Sequence, residues 1–196
     1  MEKHEEEEFY LKIDDIIDQY ELVITIDYGH GLLTPKIINQ IENKSKYLAL
    51  NTQMNSFNIG HHTISKYSHV NYVCVHEGEL RNDYRDHKNN IENLTKSLFK
   101  RINAEVIVIT KGNEGSLVYD NNDFINCPAY AGKVVDRIGA GDTLLAITSL
   151  CFAVGMPKDL TLLIGNLAAA EMVATIGTGM KLSKINILKS IETLLK

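Results

Sequence analysis

The chain has 196 residues and a formal net charge of −5, with 44% hydrophobic and 23% charged residues. This length suits one domain with a true hydrophobic core, because roughly 70% of the unfolded surface is buried at such a size. The acidic balance and the lack of a basic, aromatic stripe argue against nucleic-acid binding. No apolar run reaches the length of a membrane span, and the acidic start lacks a secretory signal pattern, so we expect a cytoplasmic protein without membrane contact.

The three cysteines, Cys74, Cys127 and Cys151, each lie in an apolar stretch. Their number is odd and their spacing fits no zinc site, so we interpret them as buried free thiols in a reducing compartment. The adjacent His61 and His62 cannot share one face of a helix, which argues against a metal site there.

The first 21 residues are predicted to be a segment apart from the domain. Residues 1–8 carry a run of glutamates and are interpreted as a solvated, frayed tail. Apolar residues then recur at helical spacing from Phe9 to Tyr20, which predicts a short amphipathic helix. Residues 22–196 are interpreted as a single domain, because no repeat, linker or change in composition divides them.

Strands and helices are then predicted to alternate along the chain. The predicted strands cover 22–26, 47–50, 71–75, 105–110, 116–119 and 124–127, the last two as a hairpin. The predicted helices cover 35–42, 86–101, 143–153, 158–176 and a last amphipathic stretch capped by Ser183. This order predicts a mostly parallel sheet that is covered by helices on both faces.

A run of small residues follows a short strand predicted at 133–135. Gly139-Ala140-Gly141-Asp142 leads into the helix predicted from Thr143. Glycine lets a ligand approach the backbone closely, and the first turn of a helix offers N–H groups and a positive dipole end. The segment therefore suits a phosphate or a developing oxyanion, with Asp142 placed to accept a proton. The alternative is an ordinary strand-to-helix turn in which Asp142 is a cap.

Other polar or glycine-bearing turns follow predicted strands, at Asp27-Tyr28-Gly29-His30-Gly31, at 76–79 and at Lys111-Gly112-Asn113-Glu114-Gly115. In open α/β sheets ligands bind at the carboxyl ends of the strands, so these turns favour one shared site. The amide-rich stretch 51–60 fits two interpretations equally well: a polar substrate pocket, or a set of turn and cap residues.

Several of these motifs resemble those of the ribokinase or PfkB family of carbohydrate kinases. Asp136-Arg137-Ile138-Gly139-Ala140-Gly141-Asp142-Thr143 is similar to the family's Asp-x-x-Gly-Ala-Gly-Asp-Thr/Ser signature. Thr110-Lys111-Gly112-x-x-Gly115 is similar to its Thr-x-Gly-x-x-Gly turn, and the stretch from Gly165-Asn166 to Gly177-Thr178 resembles its final nucleotide-side helix and loop. Asp27-Tyr28-Gly29-x-Gly31 looks closest to the heptose-phosphate kinase branch, in which the kinase is often joined to a nucleotidyltransferase.

The resemblance covers the chain from Leu22 onward and implies a ribokinase-like three-layer α/β/α sandwich with a mostly parallel sheet. Family kinases carry a long segment ahead of the strand that ends at Asp27, with the first strands of the sheet, most sugar contacts and the lid. The resemblance implies that these N-terminal strands and the lid are missing here. Residues 22–196 are therefore expected to be the carboxyl-terminal, nucleotide-binding portion of a kinase, as an excised fragment or a natural short form.

For matched positions the resemblance implies roles in phosphoryl transfer from ATP to a sugar hydroxyl. Asp142 would be the general base that takes the proton of the acceptor hydroxyl. Gly139, Ala140 and Gly141 would offer amides to the transferring phosphoryl group.

The resemblance also implies a nucleotide site. Thr110, Gly112 and Gly115 would border the nucleotide, and Asn166 would lie near its adenine or ribose. These positions belong to a glycine-bearing turn and to a helix, two elements that offer backbone and side-chain donors to a ligand.

Two cation sites are implied as well. Glu79 would organise magnesium through water, as that reluctantly dehydrated ion prefers. Asp136 and the carbonyl of Ile138 match the family's site for a monovalent cation, such as potassium. The family usually has asparagine where this chain has His76, so the magnesium arrangement is expected to differ.

Two functional classes stay open. The first is an ATP-dependent sugar or sugar-phosphate kinase, or the nucleotide-binding part of one. The second is a non-catalytic nucleotide-binding or interaction module, or half of a split kinase. A missing lid would leave an apolar sheet edge exposed, which predicts a homo-oligomer or association with the missing half. The local candidates for acceptor contacts are the stretch 51–60 and Lys66, although a lysine in such a place is more often a solvated surface charge.

Overall fold

The computed structural model describes residues 2–55, 64–132, 134–174 and 182–194. The strands are β1 (Val23–Asp27), β2 (Leu48–Thr52), β3 (Tyr72–His76), β4 (Val106–Thr110), β5 (Ser116–Tyr119) and β6 (Phe124–Cys127). The α-helices are α1 (Lys3–Ile16), α2 (Pro35–Lys44), α3 (Glu77–Tyr84), α4 (Ile91–Arg101), α5 (Ala140–Ala153), α6 (Lys158–Val173) and α7 (Lys184–Leu194). The alternation of strands and helices confirms the predicted α/β class.

The six strands form one sheet in sequence order, with β1 at one edge and β6 at the other. β1 pairs with β2 in parallel, from Val23 beside Leu48 to Asp27 beside Thr52. β2 pairs in parallel with β3. Because parallel neighbours end on the same side, the turns after these three strands share one edge of the sheet.

The chain divides into two compact units. The first comprises Met1–Ile109 and Tyr119–Asp123, and the second comprises Thr110–Val118 and Phe124–Lys196. Every residue with an expected phosphate, nucleotide or monovalent-cation role lies in the second unit, whereas Glu79 lies in the first. The boundary expected between residues 21 and 22 stays a prediction.

The first unit has an apolar core that its helices and strands share. α2 is amphipathic and buries Ile37, Ile38 and Ile41, and its cap is Thr34, whose Oγ1 accepts the N–H of Ile37. The helix therefore begins where the sequence predicts, with Pro35 in its first turn. β2 and β3 bury residues of both orientations, as interior strands of a parallel sheet do.

Small residues shape the packing of the second unit. Gly165 on α6 comes so close to α5 that a Cβ there would lie 2.5 Å from Cγ2 of Thr148. Gly155, with φ of 72°, follows the end of α5 as predicted. Asn121, with φ of 73°, lies in the predicted hairpin turn of the first unit.

The amino-terminal segment differs from its prediction. Residues 3–8 are not a frayed tail but the first turns of α1. The backbone N–H of Glu2 donates to Oε2 of Glu5 at 2.7 Å, and the reciprocal bond completes a capping box. Carboxylates near a helix N-terminus are also stabilised by its dipole, so this glutamate run favours a helix start.

The helix predicted at 86–101 is wrong in its first turn, and α3 was not predicted from the sequence. α3 ends at Tyr84, and the next residue, Arg85, has a left-handed φ of 51°. Oδ1 of Asp86 then accepts the N–H of Lys88 at 3.1 Å, which forms a turn in place of a helix. α4 begins only after Asn90, whose side chain caps it.

The strand predicted at 133–135 is also wrong. The N–H groups of Val135 and Asp136 both donate to the carbonyl of Val173, at 2.7 and 3.2 Å. Since one carbonyl accepts both donors, the segment cannot form a ladder with a neighbouring strand. Lys133 lies outside the described residues.

Four smaller predictions concern the cysteines, the cap of α7, the histidine pair and membrane spans. Cys74 and Cys127 are buried and Cys151 is half-buried, and none of these three described cysteines forms a disulfide. Oγ of Ser183 accepts the N–H of Asn186 at 3.4 Å, which confirms it at the start of α7. The pair His61-His62 lies outside the described residues. No helix among the described ranges is long and apolar enough to cross a membrane.

Candidate functional site

In the first unit, the carboxyl end of β1 carries a buried carboxylate that three donors share. Asp27 is 3% exposed. Its Oδ1 accepts the N–H of Gly29 at 2.9 Å. Its Oδ2 accepts the hydroxyl of Tyr67 at 2.7 Å and lies 2.5 Å from Nζ of Lys66. These donors replace the water that burial removes from the carboxylate.

The charge state of this cluster follows from its contacts. Burial alone would raise the pKa of Asp27, but hydrogen bonds from Lys66, Tyr67 and Gly29 outweigh burial and hold the pKa below its usual value. Burial, together with the nearby Asp27 carboxylate, raises the pKa of Tyr67. Asp27 is therefore an anion at neutral pH and Tyr67 a neutral donor. Lys66 is a partner of this anion, with 30% of its side chain exposed, so it is not simply a solvated surface charge.

The loops after β1 and β2 are joined by amides. Nδ2 of Asn55 donates to the carbonyl of Tyr28 at 2.8 Å and lies 3.3 Å from Nε2 of His30. The N–H of Gln53 donates to the carbonyl of Asp27 at 3.0 Å. In the amide-rich stretch, residues 51–55 thus cross-link strand ends, while residues 56–60 lie outside the described ranges.

Glu79 lies in the first turn of α3 and joins the loops after β2 and β3. Its Oε2 accepts the N–H of His76 at 2.7 Å, and its Oε1 accepts the N–H of Met54 at 3.2 Å. Nδ1 of His76 accepts the N–H of Gly78 at 3.0 Å, so the residue at the expected asparagine position caps the helix.

These contacts restrict how Glu79 could serve a cation. Its two carboxylate oxygens already accept the N–H groups of His76 and Met54. Within the residues that the structure describes, no three His, Cys, Asp or Glu side chains come together as a direct metal site. A role of Glu79 toward magnesium, through water, stays a prediction.

In the second unit, α5 begins at the expected small-residue segment. Gly139 precedes the helix with φ of 81°, a left-handed conformation that glycine adopts without steric cost. The carbonyl of Gly139 accepts the N–H of Thr143 at 2.9 Å, which is an early bond of the helix. The first turn contains Gly141 and an exposed Asp142, and its N–H groups point toward the N-terminus. The N–H of Ala140 makes a long bond of 3.5 Å to Arg137.

The loop that leads into α5 is held at two places. Val135 and Asp136 are bonded to the end of α6, as described above. Oδ1 of Asp136 also accepts the N–H of Ile138 at 3.0 Å, while the side chain of Ile138 is 68% exposed. A carboxylate and carbonyl oxygens in such a loop have the donor chemistry of an alkali-cation site.

The turn after β4 contains two glycines, and their surroundings differ. Both have positive φ, 61° at Gly112 and 91° at Gly115. A Cβ on Gly115 would lie 2.0 Å from the carbonyl oxygen of Cys127, whereas no described residue lies within 4 Å of a Cβ on Gly112. Packing against the end of β6 therefore requires Gly115. The N–H of Lys111 donates to the carbonyl of Gly115 at 2.8 Å and closes the turn.

Asn166 is 5% exposed and links α6 to β5. Its Nδ2 donates to Oγ of Ser116 at 2.6 Å and to the carbonyl of Leu162 at 2.8 Å. Nearby, burial raises the pKa of the Cys127 thiol, although hydrogen bonds with Tyr130 and Asn166 oppose that rise. Asn166 is thus a packing residue in this unit, and its place near adenine or ribose stays a prediction.

Sequence reasoning missed Tyr67 and Ser116 as partners of candidate residues. Tyr67 lies 40 residues from Asp27, and Ser116 lies 50 residues from Asn166. No periodicity or local motif connects positions so far apart. A buried acidic residue after a strand was the available signal, because such a carboxylate must find donors elsewhere in the fold.

The family model for pfkB family carbohydrate kinases matches residues 34–185. The chain belongs to this family. Among relatives of this pfkB-family chain, the bifunctional protein HldE of Campylobacter fetus subsp. fetus is 28% identical over 178 residues, which are 85% of the chain and 36% of that protein. The bifunctional protein HldE of Campylobacter concisus is 31% identical over 159 residues, 80% of the chain and 33% of that protein. The chain thus spans about a third of the length of these relatives.

Solved structures share the fold of this pfkB-family chain. The phosphofructokinase-2 from Escherichia coli in complex with potassium superposes with a TM-score of 0.82 at 14% identity, covering 100% of the chain and 64% of that protein. Ribokinase from Arabidopsis thaliana, complexed with ribose and ATP, gives 0.70 at 17% identity, covering 96% and 59%. These likenesses establish the fold alone, and they confirm the predicted ribokinase-like α/β architecture.

Proposed function

We propose that the chain is an ATP-dependent carbohydrate kinase, or the nucleotide-binding part of one, that transfers the γ-phosphate to a sugar hydroxyl. One observation carries the proposal: in a pfkB-family chain, Gly139–Asp142 stands at the start of α5 with the left-handed glycine and helix dipole that suit a phosphoryl group.

The chemistry follows from this segment. The N–H groups of the first turn of α5 stabilise the charge on the transferring phosphoryl group, with Gly139, Ala140 and Gly141 forming the backbone of the anion hole. Asp142, exposed in the same turn, takes the acceptor hydroxyl proton as that oxygen bonds to the γ-phosphorus. The bond from this phosphorus to its bridging oxygen breaks, and ADP leaves.

The nucleotide is proposed to lie along the turn after β4. Among the described residues, none lies within 4 Å of a Cβ on Gly112, and Thr110 and Gly115 are proposed to border the nucleotide on either side of it. Asn166 is proposed to lie near the adenine or ribose of the nucleotide, with its side chain positioned by the hydrogen bond to Ser116.

Two cations complete the proposal. Magnesium would be held through water by Glu79, in the first turn of α3, and it would neutralise phosphate charge when bound. Potassium, or another monovalent cation, would be held by Asp136 and the carbonyl of Ile138. The Escherichia coli phosphofructokinase-2 was solved in complex with potassium, which supports an alkali cation in this fold.

The acceptor is proposed to be a sugar phosphate, and specifically a heptose phosphate. The Asp27-Tyr28-Gly29-x-Gly31 turn and the similarity to bifunctional protein HldE support this choice. Lys66 and Asn55 are the described polar side chains near the ends of β1 and β2 that would contact it.

The direct test is ATP-dependent transfer to a panel of sugars that includes heptose 7-phosphate. Asp142→Asn should lower the rate by about 10²- to 10⁴-fold, since it removes a positioned base, and should leave ATP binding intact. Asp159→Asn is the matched control, because Asp159 lies in the first turn of α6 and is likewise exposed. It should leave the rate unchanged.

The alternative proposal is a non-catalytic nucleotide-binding or interaction module, or half of a split kinase. The exposure of Ile24 and Ile26 on edge strand β1, 38% each, supports association with a second copy or with the rest of a kinase. If the chain binds ATP but phosphorylates no acceptor, and Asp142→Asn changes nothing, the kinase proposal fails and this alternative stands. A concentration-independent monomer by light scattering would contradict the association.

A further inference from the structure

α1 is attached to the first unit without a buried side chain of its own. None of its residues, Lys3 to Ile16, is buried, and the side chains of Leu11 and Ile16 are 55% and 49% exposed. A helix of 14 residues is marginal alone in water, so its persistence depends on contacts with its neighbours.

Polar contacts join α1 to α2 and to Thr34, the residue that precedes α2. They join carboxylates and a carbonyl of α1 to side chains of α2 and its cap: Glu6 to Thr34, Glu7 to Lys36, Asp14 to Lys44 (2.6 Å), Asp14 to Gln40 (2.8 Å) and the carbonyl of Tyr10 to Gln40 (3.0 Å). Nζ of Lys36 also lies 4.4 Å from the centre of the Tyr10 ring. Two ion pairs, Glu7 with Lys36 and Asp14 with Lys44, are therefore part of the attachment, beside the half-buried side chains of Phe9 and Ile13.

Both ion pairs are open to solvent. The side chains of Lys36 and Glu7 are 42% and 57% exposed, and those of Lys44 and Asp14 are 36% each. The pKa values of both lysines are raised and that of Asp14 is lowered, chiefly by these hydrogen bonds. Exposed pairs of this kind stabilise weakly and are screened by salt.

α1 forms one side of an apolar groove along the sheet edge. The groove has a volume of about 490 Å³, with Ile13 and Ile16 of α1 on one side and Ile24 and Ile26 of β1 on the other. Nearer its N-terminus, α1 faces the loop that follows β1: a second depression of about 430 Å³ is lined by Glu5 and Phe9 together with residues 30–32. Displacing α1 would therefore open both the outer edge of β1 and the loop at its carboxyl end.

We propose that α1 is a strap that ionic contacts hold beside β1, where it forms one side of the groove, and that screening or loss of these contacts releases it. The inference does not depend on the proposed catalytic function. Release uncovers apolar surface along β1 and frees the loop that leads from Asp27 to Thr34, while the sheet and α2 keep their structure.

Hydrogen exchange of the full chain, followed by mass spectrometry, tests the strap. Raising the ionic strength from about 0.01 M to about 1 M shortens the Debye length from roughly 30 Å to roughly 3 Å. Amides of α1 should then exchange roughly three- to tenfold faster, while those of β2 and β3 keep their protection. Fluorescence of the dye ANS, which binds exposed apolar surface, should rise over the same range.

A matched pair of variants separates release from a general salt effect. Lys36→Met with Lys44→Met should give the fast α1 exchange already at low salt. Lys46→Met removes a comparable surface cation whose partner, Glu21, lies outside α1, and should leave α1 as in the unaltered chain. Protection of α1 that neither salt nor the double variant changes would overturn the proposal, as would an α1 that is unprotected at low salt.

Discussion

The candidate residues of the two units are held in place by different kinds of interaction. At the end of β1 in the first unit, Asp27, Lys66 and Tyr67 form a cluster of side chains whose charges and hydrogen bonds satisfy one another. In the second unit, Gly115 and Gly139 adopt backbone conformations with positive φ. The structure there depends on the lack of a side chain at these two positions.

This difference decides which changes each unit tolerates. A cluster of paired charges is sensitive to removal of one partner, since the other is left buried without compensation. A backbone shaped by glycine is sensitive to an added Cβ, either because its positive φ disfavours a side chain or because a neighbouring atom is too close. The predictions that follow change one kind of feature at a time.

The largest effect is expected for Gly115→Ala. Its φ of 91° and ψ of −133° are accessible to glycine alone, and the new Cβ would overlap the backbone of Cys127, Pro128 and Ala129. We expect a loss of about 4–6 kcal/mol in the free energy of unfolding, measured by urea denaturation. Gly112→Ala shares a positive φ, but its Cβ meets no atom of the part of the chain that the structure describes within 4 Å, so it should cost about 1–2 kcal/mol. Equal costs would show that the overlap at Gly115 is relieved.

The next effect tests the first unit. Asp27→Asn and Lys66→Met should each lower the free energy of unfolding by about 3 kcal/mol, because each leaves the other member of the pair without its counter-charge. The double variant should cost clearly less than the sum of the two, since its second substitution removes a charge already unpaired. Strictly additive losses would mean that the two side chains do not act as a pair.

Gly165 provides a smaller test in the second unit. Gly165→Ala should cost about 2 kcal/mol, because the new methyl would lie 2.5 Å from Cγ2 of Thr148. Thr148→Ser removes that methyl but keeps the hydroxyl, which donates to the carbonyl of Leu144 at 2.6 Å. In the Thr148→Ser background, Gly165→Ala should therefore cost much less. If the cost is the same in both backgrounds, the contact with Thr148 is not its cause.

The same contrast explains what could be predicted from sequence. Apolar periodicity and caps located most helices and strands, including the start of α2 at Thr34-Pro35, because these signals are local. The small-residue segment at Gly139 was predictable as a helix start for the same reason. The strand at 133–135 was not, since whether β-branched residues pair depends on a neighbouring strand, and Val135 instead bonds to Val173.

The side-chain cluster was beyond sequence reasoning for a physical reason. Its members are brought together by the fold across 40 residues, and nothing local distinguishes Lys66 from a solvated lysine. Gly115 was predicted as a nucleotide-bordering residue, but its close approach to Cys127 depends on the end of β6. Backbone features with a local cause were predictable, and satisfied charges between distant segments were not.

The smallest expected effect is on the acid dependence of the free energy of unfolding, to which Asp27 of the first unit contributes. The pKa of Asp27 is lowered in the folded state, so its ion pair stabilises the protein above the unfolded pKa of about 3.9. That stabilisation is lost as the pH falls below this value and through the folded pKa. The free energy of unfolding should therefore fall more steeply below about pH 4 in the unaltered chain than in Asp27→Asn. Gly165→Ala, which changes no charge, should keep the full acid dependence, and a slope shared by all three proteins would exclude Asp27 as its source.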